Sequence, residues 1–450
     1  MITMTVSRSC LAILASLSLA ACDNSDDVAG PSEEATFEVR IENVSTTYDF
    51  LASGSFSTPS GAVGPGALLP GSVYEFEFSA VPGSRLSFAT MFVQSNDFFY
   101  APASGGIELF DDQNQQITGD VTGQIMLWDA GTETDQEPGL GEDQAPRQAG
   151  PDIGADDADP TVRLAADAFG NLPAVAEVIS VTLASVGANR FRARIENVSS
   201  EMTIPTSDGM SHAAPLAPGV WVVHTAADPI FTPGTPDRGD GLEGLAEDGS
   251  TETLESALAG RTGITSPIAP GAFAVHAAPS AMFRAGAPDP GMGLEALAED
   301  GDPSALGSAL GDLSDVASAG VFNTPDGASG PGALLPGGAY TFSFTAEEGD
   351  RLSFATMLVQ SNDLFFAPAE TGLDLFPGGS PLSGDVTGMV LLWDVGTEVN
   401  EAPGFGPNQA PRQSGANVGP VEGGIVRQVN DGFQYPAVSE VIRVTVSPTN

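Results

Sequence analysis

Lysine is absent from this 450-residue chain: all 15 basic residues are arginine, and they face 59 acidic ones. A formal net charge of −44 excludes nucleic acid as a partner, because phosphates need Lys and Arg to neutralise them. The same charge argues against polyanions and bare anionic lipid. Without lysine there is no phosphate-cradling Gly-rich loop of the type that needs one. Histidine is scarce as well. His212, His224 and His276 are the only three, so a zinc site or a His-dependent triad is poorly supplied. The two cysteines are Cys10 and Cys22, and no later stretch is long and apolar enough to cross a bilayer.

What is present points to a globular β protein. The 54 glycines and 35 prolines suit many short strands joined by turns, and 41% hydrophobic against 16% charged residues suits a packed core. The length calls for two domains or more. Near the N-terminus, Arg8 precedes an apolar run, Leu11 to Ala21, that ends at Cys22. The run has the length of a signal-peptide core, and Leu19-Ala20-Ala21-Cys22 resembles the lipobox of bacterial lipoproteins. Residues 1–21 are therefore expected to be a signal peptide, Cys22 the lipidated residue, and 22–35 a polar linker. This places the protein outside the cytoplasm, lipid-anchored in a bacterial envelope, and touching membrane only through that anchor. Removal of Cys10 with the signal leaves no partner for an internal disulfide.

The chain is internally duplicated. Arg85-Leu-Ser-Phe-Ala-Thr-Met-Phe-Val-Gln-Ser-Asn-Asp97 recurs with one substitution at Arg351 to Asp363. Gly64 to Gly71 recurs unchanged at Gly330 to Gly337, Trp128 to Glu133 returns at Trp393 to Glu398, and Gln144 to Gln148 at Gln409 to Gln413. Ile41 to Ser45 matches Ile195 to Ser199. Copy one is expected over 36–185 and copy two over 190–450, with an extra segment at about 200–318. That segment holds a smaller duplication: Pro218 to Gly249 against Pro270 to Gly301. Period-two alternation at Phe37, Val39 and Ile41, at Tyr74, Phe76 and Phe78, and at Tyr340, Phe342 and Phe344 predicts half-buried strands. The spacing of Leu294, Leu297, Leu306 and Leu310 predicts a short helical hairpin in the insertion, covering an edge or end of the sheets.

Ser95-Asn-Asp97-Phe-Phe, Gly106-Ile-Glu108 and Trp128-Asp129-Ala-Gly-Thr-Glu133 follow one another in copy one; Ser361-Asn-Asp363-Leu-Phe, Gly372-Leu-Asp374 and Trp393-Asp394-Val-Gly-Thr-Glu398 do so in copy two. In this order the motifs resemble the spondin N-terminal domain family, in two tandem copies covering nearly all of the chain after the linker. The resemblance implies a mainly β fold: two tandem C2-like antiparallel β-sandwiches, the second with a partly helical insertion. It also implies calcium held by loop acids, and a role in adhesion or binding to a surface or matrix protein or a glycan rather than catalysis. The metal ligands it implies are Asp97, Glu108, Asp129, Asp363, Asp374 and Asp394. The family's glutamate on the preceding strand has Glu75 or Glu77 as counterpart in copy one, but copy two offers Thr341 and Ser343. Carboxylates and carbonyls from converging loops are what a hard cation taking six to eight oxygens requires. The bland reading of Asp97 and Asp129 is that they close turns. Glu133 and Glu398 read as solvated, Trp128 and Trp393 as core, and Arg147 and Arg412 as partners of a neighbouring acid. Two other functions stay open: a carbohydrate-active or other hydrolase using loop carboxylates, and a structural envelope protein without a specific ligand.

Overall fold

The computed structural model describes residues 34–449 apart from 278 and 280; the expected signal peptide and Cys22 lie outside the described residues. Antiparallel sheets dominate, none closes into a barrel, and short helices pack on them. Among the described residues no helix is long and apolar enough to cross a membrane.

Two lobes repeat one plan. In lobe one, Val73–Ser79, Arg190–Asn197, Ile179–Gly187 and Gly119–Asp120 form a four-stranded sheet in that order. It faces a larger sheet running Phe50–Phe56, Leu216–His224, Arg85–Phe92, Phe98–Pro102, Ile125–Asp129 and Arg163–Leu164. Tyr74, Phe78, Val181 and Phe191 from the first sheet meet Phe88, Tyr100, Trp221 and Val223 from the second in one core. Alternation explains the outer sheet, whose far face is wet. The central strands of the larger sheet are different: Arg85–Phe92 is buried at nearly every position, as a strand covered on both faces must be. Its second cover is helical. Leu242, Leu245, Leu254 and Leu258, from the helices Leu242–Asp248 and Glu252–Ala259, pack on Ala89, Val220 and Val222. The helical hairpin therefore lies over the broad face of the sheet and not at an edge or end, because only there is an uninterrupted apolar surface offered.

Lobe two repeats this with Ala339–Glu347, Glu34–Asn43, Ile442–Thr449 and Gly384–Asp385 against Val316–Phe322, Ile268–His276, Arg351–Leu358, Leu364–Pro368, Val390–Asp394 and Arg427–Gln428. The helices Leu294–Asp300 and Ser304–Gly311 cover its outer face.

The lobes do not coincide with the sequence copies. Glu34–Asn43, the first strand of copy one, sits between two strands of copy two, with Ile41 opposite both Tyr340 and Val444. Arg190–Asn197 and Leu216–His224 of copy two complete the sheets of copy one. The boundaries 36–185 and 190–450 therefore do not delimit the sheets. The cause is local. Ile179–Gly187 and Arg190–Asn197 are joined by the two residues Ala188 and Asn189, the latter left-handed at φ 54°, so they pair as a hairpin at minimal closure entropy. The near-identical strand Glu34–Asn43 is thereby left for the equivalent slot in lobe two.

The chain consequently crosses between lobes twice, at residues 44–49 and 261–267, side by side. Asp49 and Phe50 N–H groups both donate to the Arg261 carbonyl, Gly263 N–H donates to the Phe50 carbonyl (3.0 Å), and Arg261 pairs with Asp49 at 3.0 Å. Asn43 is buried at this crossing, where its Nδ2 donates to the Ser266 and Leu334 carbonyls at 2.9 and 2.8 Å. Gly263 is required: a Cβ there would meet the Tyr48 ring at 2.7 Å.

Candidate metal centres

In each lobe a strand ends in Trp-Asp and turns sharply through a left-handed glycine, Gly131 or Gly396. Asp129 closes this turn by accepting the Gly131 N–H at 2.7 Å. The neighbouring strand begins just after Asp97, and the register pairs Phe98 with Asp129, which brings the two acids to the same sheet end. One Asp97 oxygen accepts the Thr132 N–H (2.8 Å), the Glu133 N–H (3.1 Å) and the Thr132 hydroxyl (3.2 Å). Asp363 repeats the pattern with Thr397 and Glu398 at the same distances. The turn-closing reading is thus correct for one oxygen of each acid. The other, Oδ1 of Asp97 and of Asp363, is fully buried with no hydrogen bond, and so is Oδ1 of Asp394. A buried oxygen without a donor is costly.

Asp363, Asp394 and Glu422 place one oxygen each within 4.8 Å of one another. Arg427 offsets part of their charge, reaching Asp394 at 2.8 Å and Glu422 at 2.7 Å. In lobe one Arg163 reaches Asp129 and Asp157, both at 2.6 Å, while Asp135, close enough for its charge to act on Asp129, has a buried unpartnered Oδ1. One guanidinium against three or four carboxylates leaves each group at least two negative charges in excess. Their protonation shows the strain. Burial, and then the charge of Asp394, pushes Asp363 up to about 7. Burial and the charge of Asp97 bring Asp129 to about 7 and Asp135 to about 6. A divalent cation would relieve the same excess, and oxygen-only donors suit a hard one.

A second acidic group lies beside the first in lobe one: Glu133, Asp152 and Glu247, again with one oxygen each within 4.8 Å of the others. Glu133 and Glu398 are not solvated but buried, each held by an asparagine side chain and by the N–H of Gly154 or Gly419. Sequence reasoning missed Glu247 and its counterpart Glu299. Their signal was the duplicated Gly-Leu-Glu-x-Leu-Ala-Glu-Asp-Gly segment, an acidic position repeated on a helix whose leucines face inward.

Of the six expected ligands, Asp97, Asp129, Asp363 and Asp394 come together at the sheet ends. Glu108 and Asp374 do not. Each lies opposite the arginine that begins the next strand, Arg85 or Arg351, at the end of that strand away from Asp97 or Asp363. Glu108 forms an exposed ion pair with Arg85 (2.6 Å), and Asp374 accepts the Phe376 N–H at 3.0 Å. Phe98–Pro102 and Ile107–Glu108 pair with one strand in turn, the first near its end and the second at its start. Lobe two repeats this, so motifs close in sequence are spread along the strand to two ends of the sheet. Glu75 and Glu77 lie on the other sheet's wet face beside Arg190, Arg192 and Arg194. Arg147 and Arg412 meet glutamine amides and a glycine carbonyl in place of an acid. Trp128 and Trp393 are buried, edge-on to Phe231 and Phe283.

His224 and His276 each place Nε2 2.8 Å from a serine hydroxyl, Ser87 or Ser353. Both rings are fully buried, and the other nitrogen of His224 faces the Ala226 carbonyl, where a catalytic triad would need a carboxylate. Set against models of known families and against curated proteins, the chain matches none.

Proposed function

We propose that the protein is a calcium-dependent binding module of the spondin type, displayed outside the cell from a lipid on Cys22. Each lobe then corresponds to one C2-like sandwich that uses its ion-bearing end to meet a partner. The observation that carries the reading is the Asp363–Asp394–Glu422 group: three carboxylates within 4.8 Å, two of them with a buried oxygen that nothing satisfies. Asp97 and Asp129 supply the equivalent position in lobe one. Calcium would stiffen the loops that begin at Asp129 and Asp394, both of which run back across the sheet end. A surface at −44 favours a cationic partner. Adhesion is favoured over hydrolysis because Asp97, Asp363 and Asp394 are fully buried and touch no surface a polysaccharide could reach.

The test is calcium added to chelator-treated protein while the melting temperature is followed. A site bound a hundredfold above its Kd adds about 2.7 kcal/mol. The gain should be reduced in Asp363→Asn/Asp394→Asn; a melting temperature indifferent to calcium would refute the proposal.

A further inference from the structure

We propose that Glu133, Asp152 and Glu247 hold a hard divalent cation of their own, calcium, which clamps the helical hairpin of lobe one to the loop ends beneath it. This goes beyond the sites at Asp97–Asp129 and Asp363–Asp394, since it uses other residues. The three acids come from three elements: the turn after Ile125–Asp129, the long loop that follows it, and the helix Leu242–Asp248. Glu247 is the decisive member. It is 2% exposed and directed at the other two, and neither of its oxygens accepts a hydrogen bond. The adjacent Thr132 hydroxyl favours the charged form of Glu247 but is turned to Asp97, at 3.2 Å. The charges acting on Glu247 from Glu133, Glu243 and Asp97 are all negative, and among the described residues no arginine sits here as Arg163 does in the neighbouring group. A buried carboxylate in that setting is relieved by a proton or by a cation.

The donor set fits a cation. Glu133 accepts the Gly154 N–H through Oε1 (2.7 Å) and the Asn96 amide through Oε2 (3.2 Å), which leaves a lone pair on each oxygen. Asp152 is exposed and provides the entry side, where water completes the shell of six to eight oxygens.

Lobe two supplies an internal comparison. Asn417 occupies the place of Asp152, with the same left-handed backbone (φ 50° against 49°). Its Nδ2 donates to Glu295 at 2.9 Å, and Glu295 is the counterpart of Glu243 in the helix repeat. Among the described residues no third carboxylate joins Glu398 and Glu299 there. Both lobes tie this loop to the helix end by a glutamine, Gln148 to Asp248 (2.6 Å) and Gln413 to Asp300 (2.7 Å). At the next contact lobe two adds the Asn417–Glu295 hydrogen bond, where lobe one presents acid to acid with room for a cation between them.

Calorimetric titration of the chelator-stripped full chain with calcium chloride decides the matter. Asp152→Asn, which copies the residue of lobe two at an exposed position, should remove one calcium per chain or weaken it at least tenfold. Glu247→Gln should do the same, and Asn417→Asp should add one. Hydrogen exchange should show calcium protecting residues 242–259 in the wild type and not in Asp152→Asn. If Asp152→Asn and Asn417→Asp bind the same number of ions as the wild type with the same affinities, the clamp is wrong, although the sites at Asp97–Asp129 and Asp363–Asp394 stand. A wild-type chain that binds no calcium overturns both. Should Glu247→Gln not fold, Asp152→Asn by itself still distinguishes the two outcomes.

Discussion

Raising the pH of the metal-free protein should destabilise it, and two helix glutamates should account for much of the loss. Burial lifts Glu247 and Glu299 from 4.5 to about 8. Both are nearly inaccessible, at 2% and 1% exposure. Between pH 4.5 and 8 each therefore keeps its proton in the folded chain and loses it in the unfolded one. The folded state binds more protons, so stability falls as pH rises through that window. One proton amounts to about 1.4 kcal/mol per pH unit. Because each is half-ionised by pH 8, the two glutamates together cost the fold about 3 kcal/mol from pH 6.5 to 8.0, roughly 4 °C in Tm for a chain of this size unfolding as one unit. Histidine titration is common to both proteins compared below and cancels in the comparison. The assay is thermal unfolding in excess chelator at several pH values, for the wild type and for Glu247→Gln/Glu299→Gln. Growing self-repulsion among the other acids affects both proteins alike, so the difference between their slopes isolates the two side chains. Across this window the double variant should be flatter by about 2 kcal/mol per pH unit. Equal slopes would refute the assignment of these carboxyls as buried and protonated.

The interleaved strand predicts that deleting 34–43 damages the distant half of the sequence. Phe37, Val39 and Ile41 are fully buried in lobe two, and their loss removes roughly 6 kcal/mol of apolar burial; hydrogen exchange should show lobe two opening while lobe one stays protected. Gly154→Ala should cost about 1–3 kcal/mol in urea unfolding, because its Cβ would lie 2.2 Å from the Glu133 carboxyl carbon. Glu108→Gln should leave calcium affinity unchanged and stability within about 1 kcal/mol, as calorimetry and urea unfolding would show. Burial lowers the affinity of His224 for protons, so by NMR its ring should titrate below the ordinary histidine value, with the fold losing stability as pH falls and the unfolded chain takes up the proton.

Much of the β content could be read from alternation. Phe37, Val39 and Ile41 face one way in any strand, whatever that strand pairs with, and the duplicated motifs announced a duplicated set of sheets. Asp97, Asp129, Asp363 and Asp394 were readable as a group because each borders a strand end, and neighbouring antiparallel strands bring such ends together. Glu108 and Asp374 misled because closeness in sequence says nothing about which end of a strand a short edge segment will meet. Glu133 read as solvated because a glutamate among polar residues gives no sign that Gly154 will close over it.

Local chemistry, then, set by itself the strand faces, the turns, the helical periodicity and the acidity of the loops, since each depends on residues a few positions apart. Tertiary structure alone decided which copy of a near-identical strand enters which lobe, where the helices lie, and that Glu247 meets Glu133 across more than a hundred residues. Two equivalent strands carry the same apolar face, so their own sequences cannot distinguish the slots; the two-residue turn at Ala188 and Asn189 does, by making one pairing far less demanding in chain entropy than the other.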